Sequence, residues 1–177
     1  SDLAANYLDG QGGKMVMPSF LGGHNWQPMS FHPGTGLVYL PAQKTMAGLE
    51  AQKEPMFLPT RKVVNIGLNV PELPEDPTVV QQISEAWTGQ LLAWDPVKQT
   101  AAWTVDYPSA WNGGTLATAG NLVFQGTADG RAVAYAADTG QLLWEARLNS
   151  AAMAGPMTYT VDGEQYVTFM VGWGGSF

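Results

Sequence analysis

The clearest pattern in the chain is a set of short apolar runs, alternating with polar positions and parted by glycine-bearing corners. "GQLLAWDPVKQTAAWTVD" (89–106) reads as strand, turn, strand. "GTLATAGNLVFQGTADGRAVAYAADTGQLLWEAR" (114–147) reads as four strands joined at Ala119-Gly120-Asn121, Ala128-Asp129-Gly130 and Asp138-Thr139-Gly140. "AGPMTYTVDGEQYVTFMVGWGG" (154–175) adds a hairpin across Asp162-Gly163. Corners of the Asp-Gly and Asn-Gly kind between alternating runs are strong hairpin signals, because those residues accept the positive φ that tight turns need. Nearer the start, "MSFHPGTGLVYLPAQ" (29–43) predicts two strands around Pro33-Gly34-Thr35-Gly36. No segment sustains a 3.6-residue period over three turns.

The stretch 44–85 breaks this rhythm. It holds Pro55, Pro59, Pro71, Pro74 and Pro77 and reads as an excursion between structural units, with "RKVVNIGLNV" (61–70) as one strand inside it and "VPELPEDPTV" (70–79) as a solvated loop. Residues 86–177 carry the regular repeats.

Those repeats have a period. "LLAWDPVKQTAAW" (91–103) aligns with "AVAYAADTGQLLW" (132–144) at an offset of 41 residues, bringing Ala93 onto Ala134, Trp94 onto Tyr135 and Trp103 onto Trp144. "GLVYLPAQ" (36–43) reads as a weaker third copy. Four short strands per unit of this length is the signature of β-propeller blades. A lone blade cannot bury both faces, so blades stack, with Trp103 and Trp144 expected to fill the seams. At this period the chain makes about three to four blades, short of a closed ring. The expectation is an all-β arc of a larger propeller, an incomplete ring. The start at Ser1 with no leader pattern, and the ending straight after an apolar run, add to the expectation of a piece of a longer chain. Open blade faces would favour association with the missing blades or with a second copy.

Composition narrows function. A net charge of −7 with only eight Lys and Arg argues against nucleic acid, which requires clustered cations. The 13% charged residues and the 19 aromatics (seven Trp, six Tyr, six Phe) suit short strands and tight turns. With no Cys, disulfides and thiolate metal sites are excluded from this stretch. No apolar run approaches the ~18 residues of a membrane span.

"GGHNWQPMSFHPGTGLVYLPA" (22–42), "WNGGTLATAGNLVFQGTADGRAVAYAADTGQLLWE" (111–145) and the closing "PMTYTVDGEQYV…VGWGG" resemble the C-terminal third of a pyrroloquinoline quinone (PQQ)-dependent alcohol dehydrogenase, of the quinoprotein or quinohaemoprotein kind. The resemblance implies an eight-bladed propeller and a periplasmic bacterial enzyme. It implies PQQ near the axis with a bound Ca²⁺, oxidation of primary alcohols to aldehydes, and electrons passed to cytochrome c or a quinone. A haem c in a following C-terminal domain is left open, as is whether this segment binds any cofactor alone. The family's Asn-Trp pair falls on Asn25 and Trp26. Its last cofactor contact falls around Val171, through backbone. A Trp ahead of its Gly-Gly-Thr motif falls on Trp111, with Asn112 intervening. The family's catalytic Asp, its Ca²⁺ ligands and its vicinal Cys pair lie upstream, so no catalytic or metal-binding residue is assigned here.

From the residues alone, Asn25 and Trp26 read equally as a tight corner, since Asn bonds its own backbone at turns. His24 and His32 make no zinc site by themselves. Asp95, Asp129, Asp138 and Asp162 read as turn residues, and the paired glycines as points of close backbone approach. Two other readings stay open: a non-catalytic propeller scaffold of an envelope assembly, and a PQQ dehydrogenase for sugars or polyols. Convergence of Asn25, Trp26 and Val171 on one end of the axis would favour an enzyme.

Overall fold

The computed structural model describes residues 13–52, 67–69 and 74–174. Thirteen strands lie among them: β1 (Lys14–Val16), β2 (Ser30–His32), β3 (Leu37–Lys44), β4 (Ala47–Ala51), β5 (Leu68–Asn69), β6 (Thr88–Asp95), β7 (Thr100–Tyr107), β8 (Thr115–Thr118), β9 (Leu122–Gly126), β10 (Arg131–Ala136), β11 (Leu142–Arg147), β12 (Met157–Val161) and β13 (Glu164–Thr168). A single helix, α1 (Pro77–Ala86), precedes β6.

Two complete blades form, in the orders β2-β3-β6-β7 and β8-β9-β10-β11, followed by the two strands β12-β13 of a third. Against the three to four blades expected from length, the described residues hold two whole blades and half of a third, with other strands used elsewhere. β1, β4 and β5 make a separate three-stranded sheet.

The 44–85 excursion therefore does not lie between blades. Val38–Lys44 of β3 pair antiparallel with Thr88–Trp94 of β6, so the excursion leaves and rejoins inside one blade, between its second and third strands. Nor is the excursion free of helix. Asp76 caps α1, its side chain accepting from Thr78 N–H at 2.8 Å, and Pro77 occupies the first turn, where its missing N–H costs nothing. Ten residues with none buried are too few to print a three-turn period. The expected strand at 61–70 lies mostly outside the described residues; only Leu68–Asn69 appear, as β5.

The 41-residue repeat is a repeat of register. Ala93 faces Trp103 and Ala134 faces Trp144; one step on, Trp94 faces Ala101 and Tyr135 faces Leu142, each pair of strands slipping at the same place. "GLVYLPAQ" is a different case. Its strand, β3, is a second strand: Tyr39 faces Ala93 as Phe124 of β9 faces Ala134, so it matches β9 rather than β10.

Strict alternation in β3 and β6 turns Leu37, Tyr39, Leu91 and Ala93 toward the next blade, where Val123, Val133, Tyr135 and Ala137 meet them. Two side chains of the first blade donate to one carbonyl of the second: Tyr39 Oη to Ala137 O at 2.8 Å and Trp103 Nε1 to Ala137 O at 3.0 Å. The rings of Tyr39 and Trp103 lie 5.6 Å apart. Trp103 fills its seam as expected. Trp144, its counterpart, is 49% exposed, because the part of the third blade that would cover it is not among the described strands.

The turn at Gly140 sits under Trp103. A Cβ there would lie 2.6 Å from Trp103 Cε3, at a φ of +73°. Gln99 holds the same place one repeat earlier, at a φ of +55°. Gly140→Ala is expected to cost about 1–3 kcal/mol in urea unfolding, whereas Gln99→Gly, which only relieves an unfavourable φ, should not destabilise. At the β9–β10 turn, Asp129 is held by Arg131 Nε (3.0 Å) and Thr127 Oγ1, and Arg131 Nη1 reaches Glu145 at 3.2 Å. Partial burial pushes the Asp129 carboxyl up, but the hydrogen bonds from Arg131 and Thr127 outweigh it and hold its pKa below the ordinary value. The stabilisation is present above the unfolded carboxylate pKa of about 4 and lost as pH falls through the lower folded value. In acid titrations of stability, Asp129→Asn should flatten the fall in that range.

Candidate functional site

The inner strands of all three blades start at one point. Pro28 lies against two glycines: a Cβ on Gly114 would come 2.4 Å from Pro28 Cδ, and one on Gly155 2.6 Å from Pro28 Cγ. Thr115 N–H donates to Pro28 O at 2.9 Å. The segments leading into these strands form one end of the arc, and they carry Phe20, Trp26 and Trp111.

The "GGHNW" loop is lashed to β3. Gln43 Nε2, buried, donates to Leu21 O and Gly22 O, each at 3.0 Å, and Gln43 N–H donates to Gly23 O at 2.8 Å. The hydroxyls of Ser19 and Thr45 bond at 2.7 Å. His24 Nδ1 lies 2.8 Å from Pro41 O; a carbonyl only accepts, so Nδ1 carries the hydrogen and the ring is a strut. Asn25 uses both ends of its amide locally, Nδ2 donating to Leu21 O and Oδ1 accepting from Trp26 N–H, each at 2.9 Å. Its visible work is to hold Trp26 outward, 48% exposed.

The Trp111 loop is held from within the blade. Asn112 is 4% exposed; its Nδ2 donates to Ser109 O at 2.8 Å and its Oδ1 accepts from Ala128 N–H at 3.2 Å. Gln125, fully buried, donates from Nε2 to Gly113 O at 2.7 Å. Tyr107 Oη donates to Gln125 Oε1 at 2.9 Å and lies 3.1 Å from Tyr135 Oη. Burial first, and the neighbouring Tyr135 second, raise the Tyr107 phenol far above its ordinary pKa, so it remains a donor at any ordinary pH. The intervening residue of "WNGGT" is thus the loop's anchor.

A third support comes from 151–153 and 172–173. Gly172 N–H donates to Ala151 O at 2.5 Å, and Ala152 pairs with Gly172 as a parallel bridge. Met153 is buried with Ala128 and Ala151, and Trp111 packs on them. Room for this comes from Gly113 and Gly126, where a Cβ would lie 2.4 and 2.3 Å from Ala152 O.

Together these supports build a cavity of about 410 Å³. Four indoles wall it, from Trp26, Trp87, Trp111 and Trp173. Phe20, Leu21 and Met153 complete it. Of the residues expected from sequence, Trp26 and Trp111 meet here, and Asn25 sits behind Trp26. Val171 is exposed and its side chain is not in the wall; its near neighbour Trp173 is. Phe20, Leu21, Trp87, Met153 and Trp173 went unread as site residues. Only Trp173 carried a local signal, the flanking glycines of "GWGG". Among the described residues, none that lines the cavity is charged, and no group of three or more His, Cys, Asp or Glu could hold a metal ion.

Comparison with known proteins agrees with this architecture. Residues 76–167 match the family described as PQQ: Glucose/ethanol/alcohol dehydrogenase, beta-propeller domain. The chain is 55% identical over 164 residues to the quinohemoprotein alcohol dehydrogenase ADH-IIG of Pseudomonas putida, covering 92% of this chain and 23% of that protein. It is 45% identical over 158 residues to a 1-butanol dehydrogenase (cytochrome c) of Thauera butanivorans, covering 86% of this chain and 22% of that one. The solved structure of ADHIIG from Pseudomonas putida HK5 superposes with a TM-score of 0.93 at 51% identity, over 98% of this chain and 26% of that chain. The chain therefore spans about a quarter of the length of these relatives.

Removing the Asn112 amide leaves Ala128 N–H and Ser109 O buried without a partner. Asn112→Ala should cost about 1–3 kcal/mol in urea unfolding and shift tryptophan emission to the red as Trp111 loosens.

Proposed function

The chain belongs to the PQQ-dependent alcohol dehydrogenase β-propeller family, and from that premise we propose that it supplies one wall of the PQQ and substrate site in an enzyme that oxidises primary alcohols to aldehydes. The observation that carries the reading is the convergence of Trp26, Trp111 and Trp173, from three successive blades, on one cavity at one end of the arc. Exposed and half-buried indole faces suit a flat cofactor and a hydrocarbon substrate. On this side of the site a sugar's hydroxyls would find few hydrogen-bond partners beyond the indole N–H groups.

The fit to PQQ is to its ring system. Its three carboxylates need cations or N–H groups, and the lining offers no charged side chain. When bound, PQQ supplies a two-electron acceptor for the hydrogen on the alcohol carbon. This chain's own residues do three things toward that. Trp26, held by Asn25, and Trp111, held by Asn112 and Gln125, fix the walls. Phe20, Leu21 and Met153 exclude water. Trp173 closes the wall at the other side.

The catalytic base that takes the hydroxyl proton and the ligands of a Ca²⁺ acting as Lewis acid belong to other parts of the enzyme. So do the contacts with the electron acceptor, cytochrome c or a quinone, and any haem c. The enzyme works in the bacterial periplasm. The remaining blades cover the open faces beside Trp144 and around Tyr159 and Tyr166, whose stacked rings lie on an exposed face.

The 177-residue chain alone, given PQQ, Ca²⁺ and a primary alcohol, should reduce no electron-accepting dye, while the full-length enzyme should. In the full-length enzyme, Trp26→Ala should weaken PQQ binding about tenfold, the scale of a lost aromatic contact, read by PQQ titration of the apoenzyme. Unchanged PQQ affinity, with no alcohol-dependent dye reduction in the parent enzyme, would favour the non-catalytic scaffold.

A further inference from the structure

Helix α1 is a surface element with no buried residue. Its solvent side carries Gln81 and Glu85, whose side chains bond at 2.8 Å. Val80 and Ile83, three residues apart and so on one side of the helix, line a second cleft of about 260 Å³. Opposite them stand Pro108, Ala110 and Ala128. The remaining wall is Trp87, Trp111 and Trp173, three of the four indoles that line the site cavity. The two spaces thus share a wall of rings. The helix is also tied to that wall, since Trp87 N–H donates to Ile83 O at 3.1 Å and ends α1. Among the described residues, and apart from the indole N–H groups, Ser84 and Ser109 are the only polar side chains in the cleft, and none that lines it is charged.

We propose that this cleft is a tail subsite. The hydroxyl end of a primary alcohol occupies the tryptophan cavity, and its hydrocarbon end runs past Trp87, Trp111 and Trp173 to lie beneath Val80 and Ile83. Helix α1 is then an element that sets substrate chain length. The subsite rests on the reading of the tryptophan cavity as the alcohol site. Adjacency of the two spaces, which have Trp87, Trp111 and Trp173 in common, argues for one ligand reaching both. The apolar walls argue for a hydrocarbon chain, because each buried methylene gains about fourfold in affinity while a buried hydroxyl without a partner loses it.

The test uses the full-length enzyme. In its PQQ-free form, straight-chain primary alcohols from ethanol to octanol, titrated by calorimetry, should bind about fourfold more tightly per added methylene. Val80→Phe, which narrows the cleft, and Ile83→Ser, which makes it polar, should each flatten that ladder at its long end. In the PQQ-loaded form, the same variants should lower the ratio of kcat/KM for hexanol over ethanol about tenfold, roughly two methylenes' worth. Both positions lie on an exposed helix, and circular dichroism checks that each variant folds; either variant alone decides the matter. A ladder of unchanged slope in a folded variant overturns the subsite. A loaded enzyme that oxidises no alcohol, but whose ladder is flattened by the variants, overturns the alcohol dehydrogenase reading and leaves the apolar subsite standing.

Discussion

The arrangement depends first on one contact: the Pro28 ring lodged against Gly114 and Gly155. Three inner strands must begin side by side for three blades to fan from one axis. Side chains at that point would hold them apart, since a Cβ on either glycine would sit about an ångström inside ordinary contact distance. Pro28 provides apolar bulk and, having no N–H, leaves no donor to satisfy. Its carbonyl takes the Thr115 N–H, and Ser30 and Thr115 hydroxyls bond at 2.8 Å just beyond. With the strand origins fixed, the preceding segments have a common floor, and Trp26 and Trp111 come together at one cavity.

Lateral packing of the blades uses a second device, repeated at each seam and completed at only one. Tyr39 and Trp103 reach from the first blade to Ala137 of the second. The same positions one blade on are Phe124 and Trp144. Phe124 finds Phe169, with ring centroids 6.5 Å apart, at the edge of the third blade. Trp144 finds only an open apolar trough with Leu143 and Val167. Equal residues at equal register therefore have unequal burial because the neighbour differs. The seam is a property of two blades and not of the repeat that carries it.

That distinction marks what could be read from the chain. The turns at Asn121, Gly130, Gly140 and Asp162-Gly163 have positive φ at the corners that the Asp, Asn and Gly residues advertise. Chemistry confined to four residues is visible in four residues. The 41-residue repeat showed for the same reason, down to the slip after Ala93 and Ala134. Placement of the 44–85 insert was hidden, because the β3–β6 pairing that puts it inside a blade spans half a hundred positions of sequence. Helix α1 was hidden too: Val79, Val80 and Ile83 are its apolar residues, too few for a periodic stripe. The site was half legible. Trp26 and Trp111 stood in motifs, but Trp87 and Met153 reach the cavity from segments whose local sequence says only "strand" or "loop". Asn25 braces its own loop. Asn112, the residue that interrupts the second motif, is a buried anchor whose local sequence gave no sign of it.

The cavity's composition sets a division of labour. An uncharged, ring-walled space strengthens every charge interaction that enters it, because little water remains to screen it. It also penalises any charge that arrives unpaired. A tricarboxylate lodged against these walls must therefore meet its cations and N–H donors on the sides this chain does not build. Indole walls add shape and area, which favour flat rings and hydrocarbon and discriminate poorly among anions. On the proposed reading, tight cofactor binding belongs to the charged side of the site, and discrimination among alcohols to the side made by Trp26, Trp87, Trp111 and Trp173. On that reading, substitutions in this segment act on which alcohol is taken as well as on how tightly the cofactor ring is held.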